Sequence, residues 1–165
     1  MSRAFVKENE DVVPELPERP QSPHPNFVTP RGLALLKQQL AELEDAKHKH
    51  TIGESLLDKE ALQVTERDLR YVQERLTRAI PVDPIQQPKD RVDFAAVVET
   101  EDENGVKRKF EIVGEDEADP NQGRLSWVSP LALALKDAKV GDTVIWKRPA
   151  GDLELDVTAI HYPSH

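Results

Sequence analysis

The sequence contains no cysteine, which excludes disulfide bonds and thiolate zinc sites. It also lacks any apolar run that approaches the ~20 residues a membrane-spanning helix needs. The first residues, MSRAFVKENEDVV, have no apolar stretch of the kind found in a secretory signal and turn acidic at once. We therefore expect a cytoplasmic protein with no membrane partner.

Positive charge is scarce as well. The 165 residues include 22 lysines and arginines against 31 aspartates and glutamates, a net charge of −9. A protein that grips duplex DNA by its phosphates normally has a basic face. An acidic chain is better suited to dock on a basic protein or to present carboxylates to a metal. The length allows one ordinary domain or two small ones.

Proline is concentrated at the start of the chain. Residues 1–28 contain five prolines, namely Pro14, Pro17, Pro20, Pro23 and Pro25. Proline removes backbone donors and opposes regular pairing, so this arm is predicted to be extended, flexible or draped over another surface. Both a solubilising tail and a partner-binding strand fit such a composition.

Residues 29–80 have the pattern of a helical hairpin. Thr29-Pro30 is typical of a helix start, since threonine caps and proline fits the first turn. Apolar residues then follow at spacings of three and four, with a break at residues 51–53. The predicted seam positions are Leu33, Leu36, Leu40, Leu43, Lys47 and His50 in the first arm and Leu62, Thr65, Leu69, Val72, Leu76 and Ala79 or Ile80 in the second.

Residues 81–89 form a proline-rich linker, and residues 90–165 have a β pattern. Strands are predicted at 92–100, 106–113, 125–128, 143–147 and 153–162. Asn104-Gly105 is a strong hairpin signal, and Ser129-Pro130 predicts the start of a short helix. The fold class is therefore α+β: an antiparallel helical coiled-coil hairpin followed by an antiparallel β-sheet domain with one short helix.

The residues from about Thr29 to Tyr162 resemble the Gre-type transcript cleavage factors of bacterial RNA polymerase. Matching islands occur in the family's order along the second domain. They are FEIVG with Asp116-Glu117, SWVSPLA, Val140-Gly141-Asp142, and Pro149-Ala150-Gly151 with the closing strand. The resemblance implies an FKBP-like C-terminal domain that docks on the polymerase, and a hairpin that enters the secondary channel. The implied docking residues are Asp116, Glu117, Ser129, Pro130 and Leu131.

The resemblance also implies an accessory factor and not an enzyme, acting as a monomer on core RNA polymerase and meeting nucleic acid only within the transcription complex. Two acidic residues at the hairpin tip help typical members to hold a transient Mg²⁺ in the polymerase active centre. Oxygen ligands are what this hard cation requires. No cofactor or stably bound metal is expected.

The tip departs from the family pattern, and the hairpin is shorter by roughly a heptad per arm. The candidate carboxylates are Glu54, Asp58 and Glu60. If residues 54–60 begin the second helix, Glu54 and Asp58 share one face at i,i+4. The same residues also suit the first turn of a helix simply as favourable charge.

Several alternatives remain open on the sequence. The altered tip fits a non-cleaving occupant of the secondary channel, like the regulator of nucleoside diphosphate kinase in the same family. The acidic run at residues 115–119 fits a solvated loop as well as a docking surface. His48 and His50 could bind a metal only poorly, since i,i+2 residues do not share a helix face. The third hypothesis is a general protein-interaction adaptor that is unrelated to RNA polymerase.

Overall fold

The computed structural model describes residues 14–164. The described chain forms two compact units. The first, here called the hairpin unit, comprises residues 14–23 and 36–77, and the second, the sheet domain, comprises residues 24–35 and 78–164. Residues 1–13 of the predicted arm lie outside the described part. No helix within residues 14–164 is long and apolar enough to cross a membrane.

Two long helices dominate the N-terminal half, α1 (Pro30–Ile52) and α2 (Leu56–Thr77). The predicted cap of α1 is confirmed: the Thr29 hydroxyl accepts the Gly32 N–H at 3.0 Å, and the Thr29 carbonyl accepts the Leu33 N–H. The first six residues of α1 belong to the sheet domain and the remainder to the hairpin unit.

The hairpin unit buries the apolar stripe that the heptads predict. Leu36 of α1 and Leu69 and Val72 of α2 are buried. The predicted last position of the seam, Ala79 or Ile80, lies beyond the end of α2. Lys47 also differs from the prediction, because it is exposed while its neighbour Ala46 is half-buried. The small apolar residue is sheltered, and the charged end of the lysine stays in water.

The proline-rich residues 14–23 lie along α2 without regular secondary structure. Glu18 pairs with Arg70, with N–O distances from 2.5 to 3.0 Å. Arg19 pairs with Asp68 at 3.3 Å, and its guanidinium lies 3.8 Å from the centre of the Tyr71 ring. Of the predicted alternatives for the arm, this segment therefore takes the extended and draped form.

The sheet domain contains seven strands. A parallel two-stranded sheet pairs β1 (Asn26–Val28) with β2 (Ala79–Pro81). The main sheet has the order β5-β4-β3-β7-β6. Its strands are β3 (Val97–Asp102), β4 (Lys107–Val113), β5 (Arg124–Ser126), β6 (Thr143–Trp146) and β7 (Leu153–His161), with the short helix α3 (Pro130–Leu135) between β5 and β6.

The main sheet is antiparallel except at one edge, where β5 pairs in parallel with β4. The predicted strand at 92–100 begins late, at Val97. Val92 instead exchanges backbone hydrogen bonds with the segment that follows α3, accepting from Asp137 and donating to Ala138. Ala95 then turns the chain with a positive φ of 73° before β3 begins.

The core of the sheet domain lies between the sheet and α3. It contains buried side chains from α3 and all the central strands, including Val98, Ile112, Leu131, Leu135, Leu155 and Val157. Phe27 of β1 packs against this core, with ring-centre distances of 5.8 Å to Phe94 and 5.1 Å to Trp127. Each fully buried aliphatic side chain contributes about 1.5–3 kcal/mol, so this cluster is the main source of the domain's stability.

Candidate functional site

The hairpin turn is a three-residue connection, Gly53-Glu54-Ser55, between the end of α1 and the start of α2. Ser55 caps α2: its hydroxyl oxygen accepts the Asp58 N–H at 3.0 Å, and its carbonyl accepts the Lys59 N–H at 3.2 Å. A serine three residues before an acidic residue is a familiar helix-start pattern. The second helix therefore begins at Leu56 and not at residue 54.

The carboxylate of Asp58 is engaged within the tip. Its Oδ2 accepts the Ser55 hydroxyl at 2.6 Å, and its Oδ1 lies 3.3 Å from Nδ1 of His50 in the last turn of α1. The hydrogen bond from Ser55, followed by that from His50, holds the pKa of Asp58 below its ordinary value. A Cβ on Gly53 would stand 2.3 Å from this carboxylate, so any other residue there would displace the carboxylate from its present position.

Glu54 and Glu60 are placed differently. Glu54 lies in the turn, outside α2, so the i,i+4 face predicted for Glu54 and Asp58 is wrong. Both glutamates are exposed. No group of three or more histidine, aspartate or glutamate side chains within residues 14–164 is arranged to hold a metal ion.

Apolar side chains, which sequence reasoning did not single out, surround the turn. Ile52 is 70% exposed, Leu56 51% and Leu57 76%. A signal was present in the sequence, because two adjacent leucines lie about 100° apart around a helix and a narrow a/d seam can bury only one of them.

Residues 115–119 of the sheet domain, here called the acidic loop, contribute to a buried ionic network. Glu117, predicted to lie on a docking surface, has a side chain only 2% exposed. It accepts hydrogen bonds from the Thr29 hydroxyl at 2.5 Å and from Arg31 Nε at 2.6 Å, and Arg31 also donates to Glu111 at 2.7 Å. The Glu117 carboxylate is therefore hydrogen-bonded inside the domain, and it could bind a partner only if these hydrogen bonds were broken.

Three of the other predicted docking residues lie at the start of α3. Ser129 is its N-cap, with the hydroxyl accepting the Ala132 N–H at 3.4 Å, and Pro130 is exposed at its first position. Leu131 is buried in the core and not on the surface, whereas Leu133, two residues on, is 55% exposed. Asp116 is half-buried in the acidic loop.

Comparison with known proteins identifies the family. A model described as "Transcription elongation factor, GreA/GreB, C-term" matches residues 87–162. The chain is 31% identical over 153 residues to transcription elongation factor GreB of Neisseria meningitidis serogroup B, covering 83% of this chain and 94% of that protein. It is 29% identical over 151 residues to transcription elongation factor GreA of Brucella canis, covering 82% and 96% respectively.

Solved structures of the same kind are also similar. GreA factor homolog 1 (Gfh1) of Thermus thermophilus aligns with a TM-score of 0.41 at 22% identity, covering 84% of this chain and 99% of that one. A GreA/GreB elongation factor from Nitrosomonas europaea aligns with a TM-score of 0.42 at 20% identity, covering 83% and 99%. On the extent and identity of the GreB match, the chain belongs to the GreA/GreB family of transcription elongation factors.

Proposed function

We propose that this protein binds core RNA polymerase through the sheet domain, places its hairpin in the secondary channel and occupies the channel without promoting RNA cleavage. It would act as a monomeric accessory factor with no active site of its own. Family membership supports the polymerase as partner, since the related proteins are named transcription elongation factors. The hydrogen bonds made by the tip carboxylate Asp58 favour occupancy of the channel over cleavage.

The observation that carries the proposal is the engagement of Asp58. Cleavage through tip carboxylates would need two oxygen ligands free to meet a hard cation. Asp58 already accepts hydrogen bonds from Ser55 and His50, and Glu54 lies outside the helix that would align it with Asp58. These two bonds occupy one acceptor position on each Asp58 oxygen and hold the carboxylate against the turn, so a cation would have to bind at the remaining lone pairs in this fixed orientation or displace Ser55 or His50.

The exposure of the side chains reduces the number of predicted docking residues that can reach a partner. Pro130 and Leu133 are exposed on α3. Asp116 lies in the acidic loop and belongs to one of the sequence islands that match the family. An exposed leucine three residues after an exposed proline on one helix suits the apolar centre of an interface. We therefore assign docking to Asp116, Pro130 and Leu133, with Ser129 holding the helix start, and leave Glu117 and Leu131 to stability.

Stimulation of cleavage is the second candidate function. Glu54 is exposed and makes no side-chain hydrogen bond or ion pair within residues 14–164, and the lowered pKa of Asp58 keeps that group ionised at neutral pH. In this alternative, Glu54 and Asp58 would share a transient Mg²⁺ with the polymerase and help to orient a water molecule.

A cleavage assay on backtracked elongation complexes separates the two functions. With magnesium present, the wild-type protein is expected to bind the complexes and leave the cleavage rate unchanged. The variant Ser55→Ala/His50→Ala releases Asp58 from both partners, and any cleavage gained by this variant would identify those bonds as the block. Glu60→Ala serves as a matched control on α2.

Cleavage by the wild type that disappears in Glu54→Ala/Asp58→Ala, with polymerase binding intact, would establish the second candidate instead. Failure of the wild type to bind core polymerase would exclude both functions and favour a general adaptor.

A further inference from the structure

The end of the hairpin is apolar. Ile52 closes α1, Leu56 and Leu57 open α2, and each of the three side chains is more than half exposed. Single exposed aliphatic residues are ordinary on protein surfaces, but three within six residues around one turn form a concentrated patch. The three residues are here called the apolar tip.

We infer that the apolar tip makes a direct hydrophobic contact with a protein surface of the polymerase, as the hairpin's second attachment after the sheet domain has docked. This inference rests on the proposed function and adds the chemistry of the tip to it. The tip would then act by apolar contact and not through its carboxylates.

The size of the patch indicates which partner it can serve. An aliphatic side chain represents roughly 60–120 Å² of apolar surface, from its transfer free energy at about 25 cal/mol per Å². With the exposed fractions of 70%, 51% and 76%, the apolar tip offers roughly 100–250 Å². A stable interface buries about 800 Å² per partner, so the tip cannot hold a partner or a second copy of the chain by itself. The apolar tip can only add affinity for a molecule that is already bound through another surface of the protein.

The charges around the tip favour a protein surface over nucleic acid. Between residues 47 and 60 there are three lysines, three carboxylates and no arginine. Binding to a phosphate backbone requires an excess of positive charge, which this end of the hairpin does not have. The apolar side chains, in contrast, contribute only where they are removed from water.

The experiment measures the affinity for core polymerase without nucleic acid, comparing wild type with Ile52→Ser and with Leu57→Ser. In each variant the lost side chain had about three-quarters of its apolar surface available for contact. Because burying that surface favours binding, we expect the affinity to weaken about tenfold in each variant. Val64→Ser, which replaces a 40% exposed residue of α2 two turns from the tip, is the matched control and should stay within about twofold of wild type.

The outcomes are distinguishable. Wild-type affinity in both Ile52→Ser and Leu57→Ser would overturn the apolar contact while leaving polymerase docking in place. No binding by the wild type would overturn the proposed function and this inference with it. An effect that emerges only when RNA is added would assign the tip to nucleic acid, and self-association of the wild type abolished by Leu57→Ser without a change in polymerase affinity would assign it to a second copy. Urea unfolding of each variant verifies that the fold is kept.

Discussion

Replacing Arg31 by methionine should destabilise the sheet domain severely. The substitution keeps much of the side chain's length but removes the guanidinium that bonds Glu117 at 2.6 Å and Glu111 at 2.7 Å. Glu117 would then remain in a site where its side chain is 2% exposed, with the Thr29 hydroxyl as its remaining hydrogen-bond partner from this network. An uncompensated buried charge is among the most costly defects a fold can acquire.

The magnitude follows from the burial of the three groups. Breaking a fully buried ion pair costs about 3–5 kcal/mol. Arg31 is 27% and Glu111 17% exposed, so solvent screens part of the network and we expect about 2–4 kcal/mol. A domain of this size has a total stability of about 5–15 kcal/mol, and the loss should lower the melting temperature by more than about 8 °C.

Urea unfolding followed by tryptophan fluorescence measures this loss in the right unit, because both tryptophans, Trp127 and Trp146, lie in the sheet domain. Adding Glu117→Gln to Arg31→Met should restore part of the stability, since it removes the stranded charge. A change below about 0.5 kcal/mol in Arg31→Met would refute the buried network and return Glu117 to the solvated loop that the sequence suggested.

Three further predictions concern other parts of the molecule. Gly114→Ala should cost about 1–3 kcal/mol in urea unfolding, because a Cβ would stand 2.4 Å from the Phe27 carbonyl oxygen; a neutral effect would show that β1 can move aside. Ser55→Ala should raise the pKa of Asp58 in an NMR titration, since the serine hydroxyl is the main cause of its lowering. Asp58 stabilises the tip above its unfolded pKa, and this contribution disappears as the pH falls through its folded pKa; an unmoved pKa would contradict the hydrogen bond from the Ser55 hydroxyl to the carboxylate. Burial raises the pKa of Tyr162 to about 12, so stability should fall between about pH 10 and 12, with an ultraviolet titration step that Tyr162→Phe removes; ionisation near pH 10 would refute its burial.

The helices were predictable because their signals are local. Heptad spacing and the Thr29-Pro30 cap fixed α1, and the Asn104-Gly105 turn fixed the β3–β4 hairpin. The predicted break at residues 51–53 lies too early, because α1 runs to Ile52, and Ser55 with Asp58 three residues later carries the stronger cap signal for α2.

The burial of Glu117 and Leu131, two residues predicted to dock, depends on contacts between distant parts of the chain. Glu117 reads as one member of an acidic run, and its burial depends on Arg31, which lies 86 residues earlier. The parallel pairing of β1 with β2 likewise joins Asn26 to Ala79, and no local pattern announces it. Leu131 and Leu133 are both leucines of one short helix, and only the packing of α3 on the sheet decides which of them is buried.

The most direct test of channel occupancy is competition with a standard cleavage factor on backtracked elongation complexes in the presence of magnesium. If the protein occupies the channel without promoting cleavage, increasing amounts of it should slow the factor-stimulated cleavage and produce no cleavage of their own. Acceleration of cleavage by the protein alone, abolished in Glu54→Ala/Asp58→Ala, would contradict occupancy without cleavage and assign the tip carboxylates to the reaction.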